Sequence, residues 1–164
     1  MTALHRRRWL AAVPILVLAA CAQTPRAPAV PDAVRNQWSG RLALRIDTEP
    51  VQSFFAGFNL NGTAQSGELS LYSPLGSTIA RMQWGPGLAL LTWNGQQRQF
   101  DSIAALTRQA TGTELPIISL FAWLAGQESQ AEGWSANLDQ LGAGKLVAQR
   151  SHPEPVVTMR LVLD

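Results

Sequence analysis

Residues 38–46 read Trp38-Ser39-Gly40-Arg41-Leu42-Ala43-Leu44-Arg45-Ile46. Apolar and polar side chains alternate along this stretch, and a period of two is typical of a β-strand that buries one face. Leu42 and Leu44 then share the buried face, while Arg41 and Arg45 share the opposite face. The stretch therefore predicts an amphipathic strand and sets the β class of the chain.

The same alternation recurs along the rest of the chain. It predicts the inward faces of two following strands, formed by Phe54 and Phe58 and by Leu69 and Leu71. Tight turns are expected where both residues tolerate a positive φ, at Asn61-Gly62 and Asn94-Gly95. Further strands are predicted over residues 78–84, 88–93, 96–100, 134–138, 145–150 and 157–163.

Two helices are predicted between the two groups of strands. Ser102 caps the first helix, which covers residues 103–110 and ends at Gly112. The second helix begins at Pro116 and is apolar almost all round up to Gly126. Such a helix has to be buried on several sides or to cover an apolar surface. The chain is therefore predicted to be mainly β with α, as one curled antiparallel sheet with helices at its open side.

The N-terminal segment predicts export. Arg6, Arg7 and Arg8 precede an apolar run that ends at Ala20 and is shorter than the roughly 20 residues needed to cross a bilayer. Residues 1–20 are therefore predicted to be a signal peptide. The segment Leu18-Ala19-Ala20-Cys21 resembles the lipobox of bacterial lipoproteins, in which the cysteine is acylated. The alternative is a plain Ala-x-Ala cleavage site that releases a free periplasmic protein.

The residues after Cys21 divide into a tether and a domain. Residues 21–31 carry the predicted lipid anchor and a proline-rich, extended tether. Residues 32–164 are predicted to form one domain, with Asp32 capping a short helix over residues 33–37.

The charge balance argues against nucleic acid as a partner. The chain has 13 Lys and Arg and 11 Asp and Glu. Three arginines leave with the predicted signal, so ten basic residues remain against 11 acidic ones, a net charge of −1. A domain so close to neutrality lacks the electrostatic footprint of a nucleic-acid binder, and apolar contacts are expected to hold its partners.

Residues that could carry catalysis are few. His152 is the only histidine after the predicted signal, and one histidine beside a proline does not make a triad or a metal site. Glu128 and Glu132 lie in a Gln- and Ser-rich loop, where solvated charges are the simpler interpretation. We therefore expect no enzyme, no metal and no cofactor.

The segment Ser73-Pro74-Leu75-Gly76-Ser77 differs from the other turns. Leu75 stands between proline and glycine in a link between two strands, where it can bury little of its own surface. On a membrane-tethered protein, such a leucine would enter lipid or a partner.

Four motifs together resemble one known family, the LolB outer-membrane lipoprotein receptors. They are W-S-G-R-L-A-L-R at 38–45, S-P-L-G-S-T at 73–78, G-T-E-L-P-I-I-S-L-F-A-W-L-A-G at 112–126 and G-W at 133–134. The resemblance implies an incomplete antiparallel β-barrel whose helices cover an apolar cavity. It also implies a protein that faces the periplasm, accepts lipoproteins from the soluble periplasmic carrier LolA and inserts them into the inner leaflet of the outer membrane.

The resemblance also assigns roles to residues. The protruding leucine of the family's insertion loop falls on Leu75, flanked by Pro74 and Gly76, and the acylated cysteine falls on Cys21. Ala22 follows that cysteine in place of an aspartate that would resemble an inner-membrane retention signal, so sorting to the outer membrane is expected. The implied partners are LolA, acylated client lipoproteins and outer-membrane phospholipid, with the protein acting as a monomer.

The working hypothesis is that the inward faces receive acyl chains. The acyl chains of one lipoprotein hold on the order of forty methylenes, whose exposure to water would cost roughly 30 kcal/mol at about 0.8 kcal/mol each. The alternative is a structural or assembly lipoprotein that presents its apolar faces to protein partners. The candidate cavity residues are Leu42, Leu44, Phe54, Phe58, Leu69, Leu71, Trp93 and Trp123.

Overall fold

The computed structural model describes residues 36–164, which hold nine β-strands and two α-helices. The first six strands precede the helices, and the last three follow them. In chain order the elements are β1 (Gln37–Ile46), β2 (Gln52–Gly62), β3 (Gly67–Tyr72), β4 (Thr78–Gly85), β5 (Leu88–Trp93), β6 (Gln96–Gln99), α1 (Ile103–Thr111), α2 (Ile117–Leu124), β7 (Trp134–Asn137), β8 (Lys145–Arg150) and β9 (Val157–Leu163).

The nine strands form one antiparallel sheet in the order β6-β5-β4-β3-β2-β1-β9-β8-β7. The chain reaches one edge at β6, passes through the two helices, and begins again at the other edge with β7. Because β6 and β7 are not paired with each other, the barrel stays incomplete. The predicted mainly β fold, with a curled sheet and accompanying helices, is confirmed.

β1 lies inside this sheet, next to its middle strand β2. It pairs with β2 on one side and with β9 on the other, so it links the two groups of strands that are far apart in sequence. Gly40, from the motif at 38–45, pairs with Phe58 and Leu163 at the same level. A Cβ atom on Gly40 would lie 2.1 Å from the Val162 carbonyl oxygen, so only glycine fits.

The register places the buried apolar side chains of the long strands on one face. Leu42 of β1, for example, stands level with Ala56 of β2 and with Leu161 of β9. We call this the inner face, because the two helices pack against it, and the opposite side is the outer face. The alternation that predicts buried and exposed sides in β1 and β2 is confirmed.

Both predicted helices are present. α1 begins after Ser102, whose hydroxyl accepts a hydrogen bond from the Ala105 N–H, and it ends at Gly112 in the left-handed conformation. α2 follows Pro116 and has no side-chain cap at its start. Its buried residues are Ile117, Ser119, Leu120, Phe121, Trp123 and Leu124.

Several predicted boundaries are wrong. The strand predicted over residues 96–100 ends at Gln99, and the strand predicted over residues 78–84 continues to Gly85. Asn61-Gly62 is not the turn after β2, since β2 continues through Gly62, which pairs with Gly67. The chain reverses over Thr63–Ser66 instead, where the Thr63 N–H donates to the Ser66 carbonyl (2.9 Å). The Asn94-Gly95 hairpin is confirmed, because both residues have positive φ.

The strand predicted over residues 134–138 also ends earlier, at Asn137. The Asn137 side chain accepts a hydrogen bond from the Asp139 N–H (2.9 Å), which turns the backbone away from the sheet. The helix predicted over residues 33–37 lies mostly outside the described residues. Its last position, Gln37, is the first residue of β1, because there it pairs with Asn61.

Candidate functional site

The turn between β3 and β4 carries Leu75. The Ser73 N–H donates to the Ser77 carbonyl (2.8 Å), and the Gly76 N–H donates to the Ser73 carbonyl (2.9 Å). A third bond runs from the Ser77 N–H to the Ser73 hydroxyl (3.2 Å). Pro74 and Gly76 occupy the second and fourth positions of this turn, which those residue types favour. The turn is therefore closed by its own hydrogen bonds and needs no support from the rest of the protein.

Leu75 is the most exposed of the large apolar side chains that the structure describes, at 95%. Burial of a leucine side chain contributes about 1.5–3 kcal/mol, and this turn leaves nearly all of it unused in water. The side chain would regain that free energy in lipid or in an apolar pocket of a partner. The geometry thus presents one leucine outward in a fixed position.

Six of the eight candidate cavity residues lie together in the core beneath the helices, and none is more than 5% exposed. Phe54 is half-buried and packs against this core. The protein's own side chains therefore occupy the inner face in this structure. The six buried residues are Leu42, Leu44, Phe58, Leu69, Leu71 and Trp123.

Trp93 lies apart from the other candidates. It pairs with buried Ala80, so it belongs to the inner face, but it stands at the end of β5 and is 49% exposed. With Leu91 and Gln109 it lines a cavity of about 250 Å³ near the β6 edge. Trp93 is thus a residue of the rim and not of the covered centre.

α2 covers the centre of the inner face with aromatic and aliphatic side chains. The Phe121 ring meets Trp38 edge to face at 5.5 Å between centroids, and it meets Trp84 at 6.2 Å. Trp123 is 1% exposed, and its indole N–H donates to the Ser129 carbonyl (3.0 Å). α2 therefore covers the centre of the inner face with its own side chains.

The segment after α2 holds this helix in position. The Ser119 hydroxyl donates to the Gln130 carbonyl (3.1 Å) and accepts a hydrogen bond from the Ser129 hydroxyl (3.0 Å). Together with the Trp123 bond, these contacts join α2 to residues 127–132, which we call the strap. The sequence alone does not predict this role, because the strap reads only as a polar loop.

Two cavities flank α2 beside the strap. One has a volume of about 680 Å³ and lies between Trp123, the strap and β7, where Trp134 and Leu138 line it. The other, of about 320 Å³, is mostly apolar and lies between the start of α1 and the start of α2. Of the two cavities beside α2, the smaller is therefore the apolar one, and the larger is lined mainly by polar groups.

Arg150 is a cation on the inner face of β8. The residue is only 8% exposed, and one of its terminal nitrogens donates to the Pro155 carbonyl (3.3 Å). Its Nε has no hydrogen-bond partner among the described residues. Burial, and secondarily the nearby Arg108, lower the pKa of Arg150 from its ordinary value. The apolar face thus ends, beneath the link between α1 and α2, in one desolvated positive charge.

The predicted signal peptide, Cys21 and the tether lie outside the described residues. Among residues 36–164, no helix has the length and apolar character needed to cross a membrane.

Fold and site together define a class of protein. The antiparallel sheet stays open, and two helices cover its apolar face. One hairpin directs a leucine outward. These features define a half-barrel with an apolar interior and an exposed apolar side chain. The family model described as "Outer membrane lipoprotein LolB" matches residues 35–153. The chain belongs to the LolB family and is an outer-membrane lipoprotein involved in lipoprotein localisation.

Three relatives with this name align with between 77% and 99% of the chain. Outer-membrane lipoprotein LolB of Bordetella petrii is 32% identical, over 99% of this chain and 94% of the relative. The protein of the same name from Bordetella pertussis is 30% identical, over 95% of this chain and 93% of the relative. The protein from Chromobacterium violaceum is 33% identical, over 77% of this chain and 74% of its own length.

Proposed function

We propose that the chain accepts acylated lipoproteins from the soluble periplasmic carrier LolA and releases them into the inner leaflet of the outer membrane, with Leu75 contacting the lipid. The observation that carries this proposal is the exposed leucine on a turn closed by its own hydrogen bonds, beside a sheet whose apolar inner face is covered. The protein acts as a monomer and by binding alone, without catalysing a reaction.

The N-terminal residues supply the anchor in this proposal. Residues 1–20 direct export and are removed, Cys21 carries the lipid, and residues 21–31 form the tether. The domain then hangs from the outer membrane on the periplasmic side. It reaches the carrier and the bilayer in turn without leaving the membrane.

Acyl chains enter the inner face by replacing α2. Uptake begins at the mostly apolar cavity of about 320 Å³ between the starts of α1 and α2 and continues as the strap and α2 move away from the sheet. Each methylene that leaves water contributes about 0.8 kcal/mol, which offsets the apolar contacts that α2 gives up. No ATP is needed if affinity rises from carrier to receptor to bilayer.

The test of Leu75 separates acceptance from delivery. We expect Leu75→Glu to accept lipoprotein from the carrier as the native chain does, because Leu75 is far from buried and its turn makes its own hydrogen bonds. Delivery to vesicles should fall at least tenfold, since a carboxylate is costly to bring into lipid. Acceptance is measured by co-purification of lipoprotein with the chain, and delivery by its recovery in the vesicles.

Leu88→Glu is the matched control. Leu88 is also partly exposed and also adjoins a hairpin turn, but it lies at the opposite end of β4 from Leu75. It should deliver lipoprotein normally. Equal delivery by Leu75→Glu and the native chain would refute the membrane role of Leu75.

The covered inner face favours one rival function, a structural lipoprotein whose apolar core is permanently closed. A fluorescent fatty-acid probe separates the two functions. The unacylated Cys21→Ser chain should bind the probe. Addition of carrier-bound lipoprotein should then lower the fluorescence of the probe, because both ligands use one face. A chain that binds no probe, and takes no lipoprotein from the carrier, would be the structural protein.

A further inference from the structure

Positive charge is concentrated in four neighbouring strands of the sheet. The residues of β2, β1, β9 and β8 include five Arg and Lys and no Asp or Glu. The remaining described residues, by contrast, include three arginines and ten carboxylates. The charges of the domain, which nearly cancel in total, are therefore separated in space.

Four of these five cations lie on the outer face, where all four are exposed. Arg41 and Lys145 both pair with Val162, so they flank it from the two sides of β9. Arg160 lies in the next row, level with Ala43, and Arg45 lies one row further. We call this surface of β2, β1, β9 and β8 the basic face. Since neighbouring strands are about 4.8 Å apart, it spans roughly 14 Å across the sheet.

Exposed apolar side chains stand between these cations. Phe55, at 67% exposure, is in the same row as Arg160 and Val147, and Val162 is in the row of Arg41. Among the ion pairs within residues 36–164, one reaches the basic face, where Asp47 pairs with Arg45 at 2.8 Å. An exposed surface of cations with scattered apolar side chains has the composition of a surface that lies on anionic phospholipid.

The basic face lies near the Leu75 turn. The last pair between β2 and β3 that precedes the turn is Gly57–Tyr72. Phe55 is two residues beyond that pair in β2, on the side where the chain leaves Tyr72 for Ser73 and Leu75. Phe55 and the turn therefore share one end of the sheet, so a membrane that meets Leu75 also meets the basic face there.

We propose that the basic face docks on the anionic phospholipid surface and, by doing so, orients the Leu75 turn toward the bilayer. The inference rests on the proposed function, which places Leu75 in lipid. Lipid is favoured over an acidic protein as the occupant, because exposed apolar side chains stand between the cations and the face continues toward the exposed leucine. Docking would leave the α2 margin, on the opposite face, open to the carrier.

The experiment uses the full acylated chain anchored in phosphatidylcholine vesicles with or without phosphatidylglycerol. Cys21 is the only native cysteine and is acylated there, so Val162→Cys provides a single thiol for an environment-sensitive fluorophore. The emission should shift to the blue, and a lipid-bound quencher should reach it, only when phosphatidylglycerol is present. A label on Gln97→Cys in β6 should stay in water under both conditions.

Arg41→Gln with Arg160→Gln removes two charges from the basic face, and Arg81→Gln with Arg98→Gln is the control of equal net charge. The first pair should weaken docking by about 30-fold, since each arginine near an anionic surface contributes about fivefold. The control pair should leave docking within about twofold of the native chain, because Arg81 and Arg98 lie outside the face. High salt should reproduce the effect of the first pair.

Equal effects of the two arginine pairs, or a label that never contacts lipid, would overturn the inference. A label protected only when loaded carrier is added would replace lipid by a protein partner. Delivery of lipoprotein is measured on the same vesicles. Docking without any delivery by the native chain would contradict the proposed function but not the docking of the basic face on lipid.

Discussion

α1 and α2 both cover the sheet, but they are held by different interactions. α1 has a side-chain cap at Ser102, a left-handed glycine at its end and an ion pair between Arg108 and Glu114. α2 has no side-chain cap and no charged residue, and it depends on burial and on three side-chain hydrogen bonds to the strap. α1 thus adds a cap and an ion pair to the burial of Leu106, whereas α2 is stabilised almost entirely by what it touches.

This difference identifies the movable element. A helix held by apolar contacts can be replaced on the sheet by another apolar object, because the hydrophobic effect is not directional. A helix held by caps and ion pairs loses those interactions without compensation when a hydrocarbon takes its place. α2 is therefore the element that an acyl chain can displace, and α1 is the support that stays.

Trp123→Ala tests the contribution of burial to α2 and should have the largest effect. Loss of a fully buried tryptophan should lower the free energy of unfolding by about 3–5 kcal/mol, measured by urea denaturation. Trp93→Ala, at the half-exposed rim position, should cost under about 1.5 kcal/mol. Similar losses for the two variants would contradict the distinction between a covered centre and an open rim.

Ser119→Ala removes two of the three side-chain hydrogen bonds between α2 and the strap. Stability should fall by about 1–2 kcal/mol. If the strap restrains α2, the fluorescent fatty-acid probe should enter several-fold faster, as stopped-flow fluorescence would measure. Slower or unchanged uptake would mean that chains reach the inner face by another route.

Ser102→Ala removes only the cap of α1 and should have the smallest effect. The expected loss is about 1 kcal/mol in the free energy of unfolding. Probe uptake should keep its native rate, because α1 stays on the sheet during binding. A gain in uptake rate as large as that of Ser119→Ala would mean that both helices move, and would contradict the distinction between α1 and α2.

Much of the fold is predictable from local patterns. The period of two locates β1 and β2 because each strand has one buried face, and Ser102 and Gly112 mark α1 because caps are local chemistry. The Thr63–Ser66 reversal escapes prediction, since Asn61-Gly62 has the better turn residues and only the pairing of Gly62 with Gly67 overrides them. The end of β7 likewise depends on one side chain, that of Asn137.

The site is less predictable than the fold. The exposure of Leu75 follows from its place between proline and glycine, and the buried positions follow from the strand period. The strap has no such signal, because two of its three side-chain bonds with α2 are accepted by backbone carbonyls. Every residue has a backbone carbonyl, so the residue type does not reveal this role. Trp93 shares the inward period of its strand, yet its half-exposed position at the end of β5 can be seen only in three dimensions.

The open barrel leaves two strand edges whose backbone groups could pair with another chain. β6 reads Gln-Gln-Arg-Gln, is entirely exposed and is four residues long, and β7 is equally short. Short edges with polar or charged side chains are poor templates for pairing between molecules. A protein confined to a membrane surface meets its own copies often, so these brief edges keep neighbouring copies from joining into a continuous sheet.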